Sequence, residues 1–158
     1  MRSPKYPLAP LVLLREKEVD QAANELASRV KASEAAENAR QASERRRDLY
    51  DESAAQVRAA EGEALERGVL RAADLARADA WGARAALESR ALATEVVRER
   101  ANEQQARRNE VESRARLAGR QAAAQVVAKD RARWTEGQSH EAEARDEEAS
   151  SEGWRPKP

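Results

Sequence analysis

Between Pro10 and Pro156 the chain contains no proline. Proline removes a backbone donor and clashes with the preceding turn, so it stops or kinks a helix wherever it falls in the interior. Here Pro4, Pro7, Pro10, Pro156 and Pro158 all stand near the ends. The sequence between them is dominated by Ala, Glu, Arg, Leu and Gln, which are strong helix formers. Glycine is nearly as scarce, and none occurs before Gly62 and Gly68. A stretch so free of breakers predicts very long helices.

Composition limits what those helices can do together. Charged residues make up 37% of the 158, aromatics 3%, and Phe and Cys are absent. Alanine accounts for 36 residues, more than half of the hydrophobic complement. Apolar burial is worth about 25 cal/mol per Å², so contacts between alanines stabilise weakly. Thin seams between helices are within reach of such a chain, and a thick layered core is not. High charge with few aromatics is also the signature of disorder. The scarcity of Gly and Pro and the helix-forming composition favour helix.

Charge is mixed both globally and locally. The 29 basic and 29 acidic residues cancel, so no overall field favours nucleic acid or an anionic membrane. Glu precedes Arg by four residues at Glu25–Arg29, Glu63–Arg67, Glu103–Arg107, Glu110–Arg114, Glu112–Arg116 and Glu141–Arg145. That order supports a helix by about 0.2–0.5 kcal/mol per pair. The absence of cysteine excludes disulfides and thiolate chemistry and fits a reducing compartment. The apolar run LAPLVLL is broken by Pro10, ended by Arg15 and followed by no small-residue cleavage site, unlike a secretory signal. No segment approaches the roughly 20 apolar residues of a membrane span. The expectation is a cytoplasmic protein without direct membrane insertion.

The organisation expected is an all-α chain whose two long helices form an antiparallel coiled-coil hairpin. Residues 1–9 read as an extended lead-in, 10–134 as the hairpin with its turn near 66–72, and 135–158 as a flexible acidic tail. Pro10 suits a first helical turn, where its missing N–H costs nothing. Val12, Val19 and Leu26 recur at sevens, with Ala23 and Val30 interleaved. Gly68 can close the first helix in the left-handed conformation, and Leu70 can cover the tip. From Leu75, steps of three and four reach Ala78, Gly82, Ala85, Ser89, Leu92 and Val96. The same steps later reach Ala106, Leu117, Ala124, Val127 and Trp134. Glu99, Glu103, Glu110, Arg120 and Arg131 occupy intervening seam positions, where polar residues fix register at a cost in stability. At 1.5 Å per residue, arms of roughly 55–60 residues would each run about 85 Å.

Nothing in the chain points to catalysis, a cofactor or a metal. His140, the one histidine, stands in the polar tail without a Cys, Ser or Asp partner at a meaningful spacing. The phosphate-loop, dinucleotide and zinc-protease motifs are all absent. Arg45, Arg46 and Arg47 form the densest basic cluster, but Glu44, Asp48, Asp51 and Glu52 cancel its field. A nucleic-acid site would show a wider basic stripe. Trp81 and Trp134 carry more meaning, because a two-helix seam cannot bury an indole completely. Each either packs against the first helix or remains as a docking anchor. Trp154 reads as part of the tail.

The stretch LLREKEVDQAANELA, Leu13 to Ala27, resembles the start of the FliJ/YscO family, the central-stalk proteins of type III secretion. The matching positions are Leu14, Arg15, Lys17, Glu18, Ala22, Ala23 and Leu26, with Glu16, Val19 and Asp20 also typical. A second patch follows the turn, where Gly68, Asp74, Leu75 and Trp81 agree with the family while Ala78 and Gly82 depart from it. The resemblance implies a stalk without enzymatic activity that couples a hexameric secretion ATPase to an export-gate protein and helps to handle secretion chaperones. It implies that Leu11, Leu14, Arg15, Glu18 and Val19 meet the ATPase ring. Leu75, Trp81 and Ala85 would face the export gate. A coiled-coil spacer or adaptor unrelated to secretion is the alternative reading of the same helices.

Overall fold

A computed structural model describes residues 4–153. Trp154, read above as tail, lies outside them. Two helices account for nearly all of the described chain: α1, Ala9–Glu66, and α2, Ala72–Gly153. They form an antiparallel hairpin, with no strand among the described residues.

The turn falls where glycine predicts it. Gly68 has φ of 67°, a conformation that costs other L-residues about 1–2 kcal/mol. Its N–H donates to the Leu65 carbonyl at 2.9 Å, and the Val69 N–H donates to the Ala64 carbonyl at 3.2 Å. This pair of bonds satisfies carbonyls that the end of α1 would otherwise leave open. Asp74 begins α2 by accepting a bond from the Arg71 backbone N–H at 3.1 Å. Its charge also suits the positive end of the helix dipole. Leu70 is half-buried, as expected of a residue covering the tip.

Contacts divide the chain into two compact units. Ser28–Val111 forms the first and contains the turn. On α2 its inward positions follow the predicted steps: Ala85, Leu92 and Val96 are buried, and Ala78, Gly82 and Ser89 are half-buried. On α1, Ser33, Ser43 and Ala54 are buried, with Ala36, Arg40, Arg47 and Tyr50 half-buried between them. These α1 positions alternate steps of three and four, the spacing of a heptad seam. Much of the seam is therefore small or polar.

Ion pairs hold the two helices of this unit together where apolar surface is thin. Arg40 Nε meets Glu103 at 2.6 Å, Arg100 meets Glu44 at 2.7 Å, and Arg107 meets Glu37 at 3.6 Å. Arg46 meets Glu95 at 3.0 Å, and Ser89 donates to Asp51 at 2.7 Å. Glu103 is only 8% exposed, so its carboxylate depends on Arg40 and on Arg107, 2.7 Å away. A buried charge left without partners would be strongly destabilising.

The second unit joins the chain up to Ala27 with the chain from Glu112 onward. Val127 and Ser113 are buried there, and Leu11, Val12, Val19, Ala22, Leu26, Leu117 and Trp134 are half-buried. Ala22 lies toward the seam and Ala23 is exposed, which corrects the expected interleaving: Ala22 and Arg15 keep the alternation of three and four with Val12, Val19 and Leu26. Glu112 and Arg116 are absent from the helix-supporting pairs actually made. Arg116 reaches across to Glu25 at 3.4 Å instead.

The boundary expected at residue 134 has no counterpart, since α2 continues to Gly153. Gly137 is the sole glycine between Trp134 and Gly153, and the Ala- and Glu-rich remainder contains no proline. Arg145–Glu141 at 3.4 Å adds one four-residue pair. Local propensity extends the helix although every residue from Ser139 to Ser151 is exposed.

Candidate partner-binding surfaces

Among the described residues no group of three or more His, Cys, Asp and Glu side chains could hold a metal ion. Likewise no described helix is long and apolar enough to cross a membrane. The functional question becomes which side chains the helices leave available for partners.

At the start of α1 the heptad turns Leu13 and Leu14 outward. They are 67% and 52% exposed, and Leu8 is 45% exposed. Leu11 and Val19 are half-buried beside them. Arg15 and Glu18 stand one helical turn apart, and the Arg15 guanidinium donates to Glu18 at 2.7 Å. Arg120 approaches the other Glu18 oxygen at 3.1 Å. The hydrogen bond from Arg15, assisted by the charge of Arg120, holds the Glu18 carboxyl below the usual glutamate range against the opposing effect of burial. Arg15 Nε is buried without a partner. The five expected ring residues thus share one stretch of α1, but Leu14 offers the most apolar surface, while Arg15 and Glu18 engage each other and Glu18 also engages Arg120 of α2.

Two further features of this unit were not foreseen. Leu8 and Leu13 are exposed beside Leu14, and both fall in the apolar run LAPLVLL. Tyr6 also anchors the lead-in on α2. Its hydroxyl donates to Asp130 at 2.5 Å, and its ring lies 5.5 Å from that of Trp134. The hydrogen bond to Asp130, with burial adding, raises the Tyr6 phenol above its ordinary pKa. Trp134 is therefore a packing partner. Nearby, Val12, Glu16, Ala128, Arg131, Thr135 and His140 line an open groove of about 690 Å³.

The expected gate residues divide differently. Leu75 is 39% exposed, Trp81 is half-buried, and Ala85 is 2% exposed. Ala85 belongs to the seam and has almost no surface to offer. Leu65 at 54% and Val69 at 70% exposed add apolar surface around the turn. Sequence periodicity did not single out Leu65 or Val69, because neither falls on a seam position.

No protein-family model matches the sequence, and no curated protein is significantly similar to it. Among solved structures, a protein of Chlamydia trachomatis assigned as a YscO homologue superposes with a TM-score of 0.80. The match covers 96% of this chain and 92% of the chlamydial one, at 20% identity. At that identity it is a likeness of fold. The chain has the two-helix hairpin fold of a YscO homologue, in keeping with the FliJ/YscO resemblance of Leu13–Ala27.

Proposed function

We propose that the protein is a stalk component of a type III secretion export apparatus, joining a hexameric secretion ATPase to an export gate. The observation that carries this reading is the match of fold to a YscO homologue over nearly the full length of both chains. The resemblance at LLREKEVDQAANELA supports it independently of the fold. Leu14, with Leu8 and Leu13, supplies the apolar contact to the ring, and Leu11 and Val19 back it. Arg15 and Glu18 shape that surface through their bond to each other and that of Glu18 to Arg120. Around the turn, Leu75 and Trp81 meet the gate, joined by Leu65 and Val69, whereas Ala85 supports them from inside. Secretion chaperones are further partners on this reading.

The physical fit is that of an insert stabilised by its surroundings. A seam with few large apolar groups gains most when a partner binds only its folded form. The test is to add the protein to a purified hexameric secretion ATPase from a cognate system. Hydrolysis or hexamer formation should rise, and Leu13→Asp/Leu14→Asp should abolish the effect while preserving helicity. An ATPase indifferent to the wild-type chain would overturn the stalk reading and leave the spacer as the better account.

A further inference from the structure

Within Ser28–Val111, the positions of α2 turned away from the seam are all exposed between Ala76 and Val111. They carry Arg77, Arg84, Arg90, Arg98 and Arg108 and, among these described positions, no carboxylate. Of the acidic residues of the same stretch, Glu95 and Glu103 meet Arg46 and Arg40 on α1, whereas the exposed Asp79 and Glu88 flank the seam. Arg77 and Arg98 pair with Asp74 and Glu99 at 3.3 Å but remain 81% and 67% exposed. Arg84, Arg90 and Arg108 make no ion pair among the described residues. Leu87, Val97 and Val111 stand on the same face at 65%, 66% and 66% exposure. This is a cationic, mildly apolar helix face without a partner.

The chain itself contains the complementary surface. Residues 136–151 hold Glu136, Glu141, Glu143, Asp146, Glu147 and Glu148 against the single Arg145. Every residue from Ser139 to Ser151 is exposed, and from Glu141 onward none lines the groove shared with α1. Spacing agrees as well as sign. Arg77 and Arg84 recur at seven residues, and so do Glu136 and Glu143, the interval at which two helices meet repeatedly. Both segments belong to the one helix α2, so every copy carries both halves of the complementarity.

We propose that the protein self-associates by docking the acidic helix 136–151 of one copy on the arginine face, Ala76–Val111, of a second copy. The exposed Leu87, Val97 and Val111 suit a helical occupant, since apolar side chains gain nothing from phosphates. A net charge of zero also removes the long-range attraction that draws a basic protein to polyanions. Exposed ion pairs are individually weak and screened by salt, so the association is reversible and salt-dependent. It goes beyond the stalk reading and is testable with this chain alone.

The experiment is sedimentation of the full-length protein over a range of concentrations at low and high salt. Self-association should appear at low salt and weaken about tenfold or more when the Debye length falls to a few Å. Arg84→Glu/Arg90→Glu/Arg108→Glu should sediment as a monomer, and so should Glu143→Lys/Asp146→Lys/Glu147→Lys. Mixing these two variants should restore a complex, because each then carries the sign the other lacks. A second arginine variant, with Gln at the same three positions, checks that loss of association follows charge and not loss of helix. A wild type that is monomeric at every concentration overturns the proposal. So does association that survives in both charge-reversed variants, or a mixture that fails to reassociate. Salt-sensitive binding of the arginine face to duplex DNA or to phosphatidylserine vesicles, without self-association, would assign the face to another occupant and overturn it equally.

Discussion

Replacing Gly68 with alanine should destabilise the hairpin, whereas the same change at Gly62, inside α1, should stabilise it. A built Cβ meets nothing within 4 Å at either position, so neighbouring atoms do not distinguish the two. The backbone does. Gly68 has φ of 67°, and the left-handed region costs an L-residue about 1–2 kcal/mol. The narrower unfolded ensemble of alanine returns about 0.4–1 kcal/mol of that. The net loss is about 1 kcal/mol. Gly62 lies inside α1, where glycine is about 0.5–1 kcal/mol worse than alanine. The two variants should therefore differ by about 1.5–2 kcal/mol. With a urea dependence of about 1–3 kcal/mol per M, their unfolding midpoints should separate by about 0.5 M or more, followed by the helical circular dichroism signal. Gly68→Asn should fall between wild type and Gly68→Ala, because asparagine tolerates the left-handed region better. A Gly68→Ala midpoint equal to or above that of wild type would refute the turn geometry and the bonds from Gly68 and Val69 that depend on it.

Acid should weaken the fold through Glu44 and Glu18. The Glu44 carboxyl is held below the usual range first by the hydrogen bond from Arg100 and then by the charge of Arg40. A carboxyl with a lowered folded pKa contributes stability above its unfolded pKa and loses it as pH falls through the folded one. Urea midpoints of wild type should drop as pH falls below the ordinary glutamate range, and Glu44→Gln should flatten that slope; identical slopes would count against the pair. Tyr6 has the opposite sign: its raised pKa favours the protonated phenol, so its contribution is present below the ordinary tyrosine range and lost as pH rises through the folded value. Tyrosinate absorbance should show one of the two tyrosines titrating late, and Asp130→Asn should remove the delay. Truncation after His140 should lower total helical signal without moving the urea midpoint, since the described residues it removes, Glu141 to Ser151, are all exposed; a lowered midpoint would show that they pack against another helix.

Sequence periodicity located α2 well because its seam retains Leu92, Val96, Leu117 and Val127, which mark the register unambiguously. The turn was legible for a separate reason, the coincidence of Gly68 with a break in the apolar pattern. α1 was legible only as far as Leu26. Beyond it, the inward positions are held by Ser33, Arg40, Ser43 and Arg47, residue types that ordinarily signal an outer face. Their inward placement depends on cross-helix partners such as Glu103, which no local pattern on α1 displays. The same logic misplaced the end of α2: an exposed acidic run reads as tail, yet helix propensity and sparse breakers sustain it to Gly153. For the candidate surfaces, Leu14 and Trp81 stood out by type, while the burial of Ala85 emerged only once the heptad was set.

The ion pairs between α1 and α2 have a further consequence for alignment. Glu37, Arg40, Glu44 and Arg47 repeat one charge pattern every seven residues on α1. Arg100, Glu103, Arg107 and Glu110 do the same on α2. Although it would leave Glu95 facing Ser53 in place of Arg46, sliding one helix by a single repeat, about 10 Å, would exchange Arg40–Glu103 for Arg47–Glu103 and Glu44–Arg100 for Glu44–Arg107, these repeating charges still meeting their opposites. These contacts can fasten the helices but cannot choose between neighbouring settings, like a ratchet whose teeth are all alike. The choice falls to what does not repeat: Arg46–Glu95 and, before it, the fixed span from Glu66 to Ala72, locked at Gly68, which serves as the zero mark from which the register is counted.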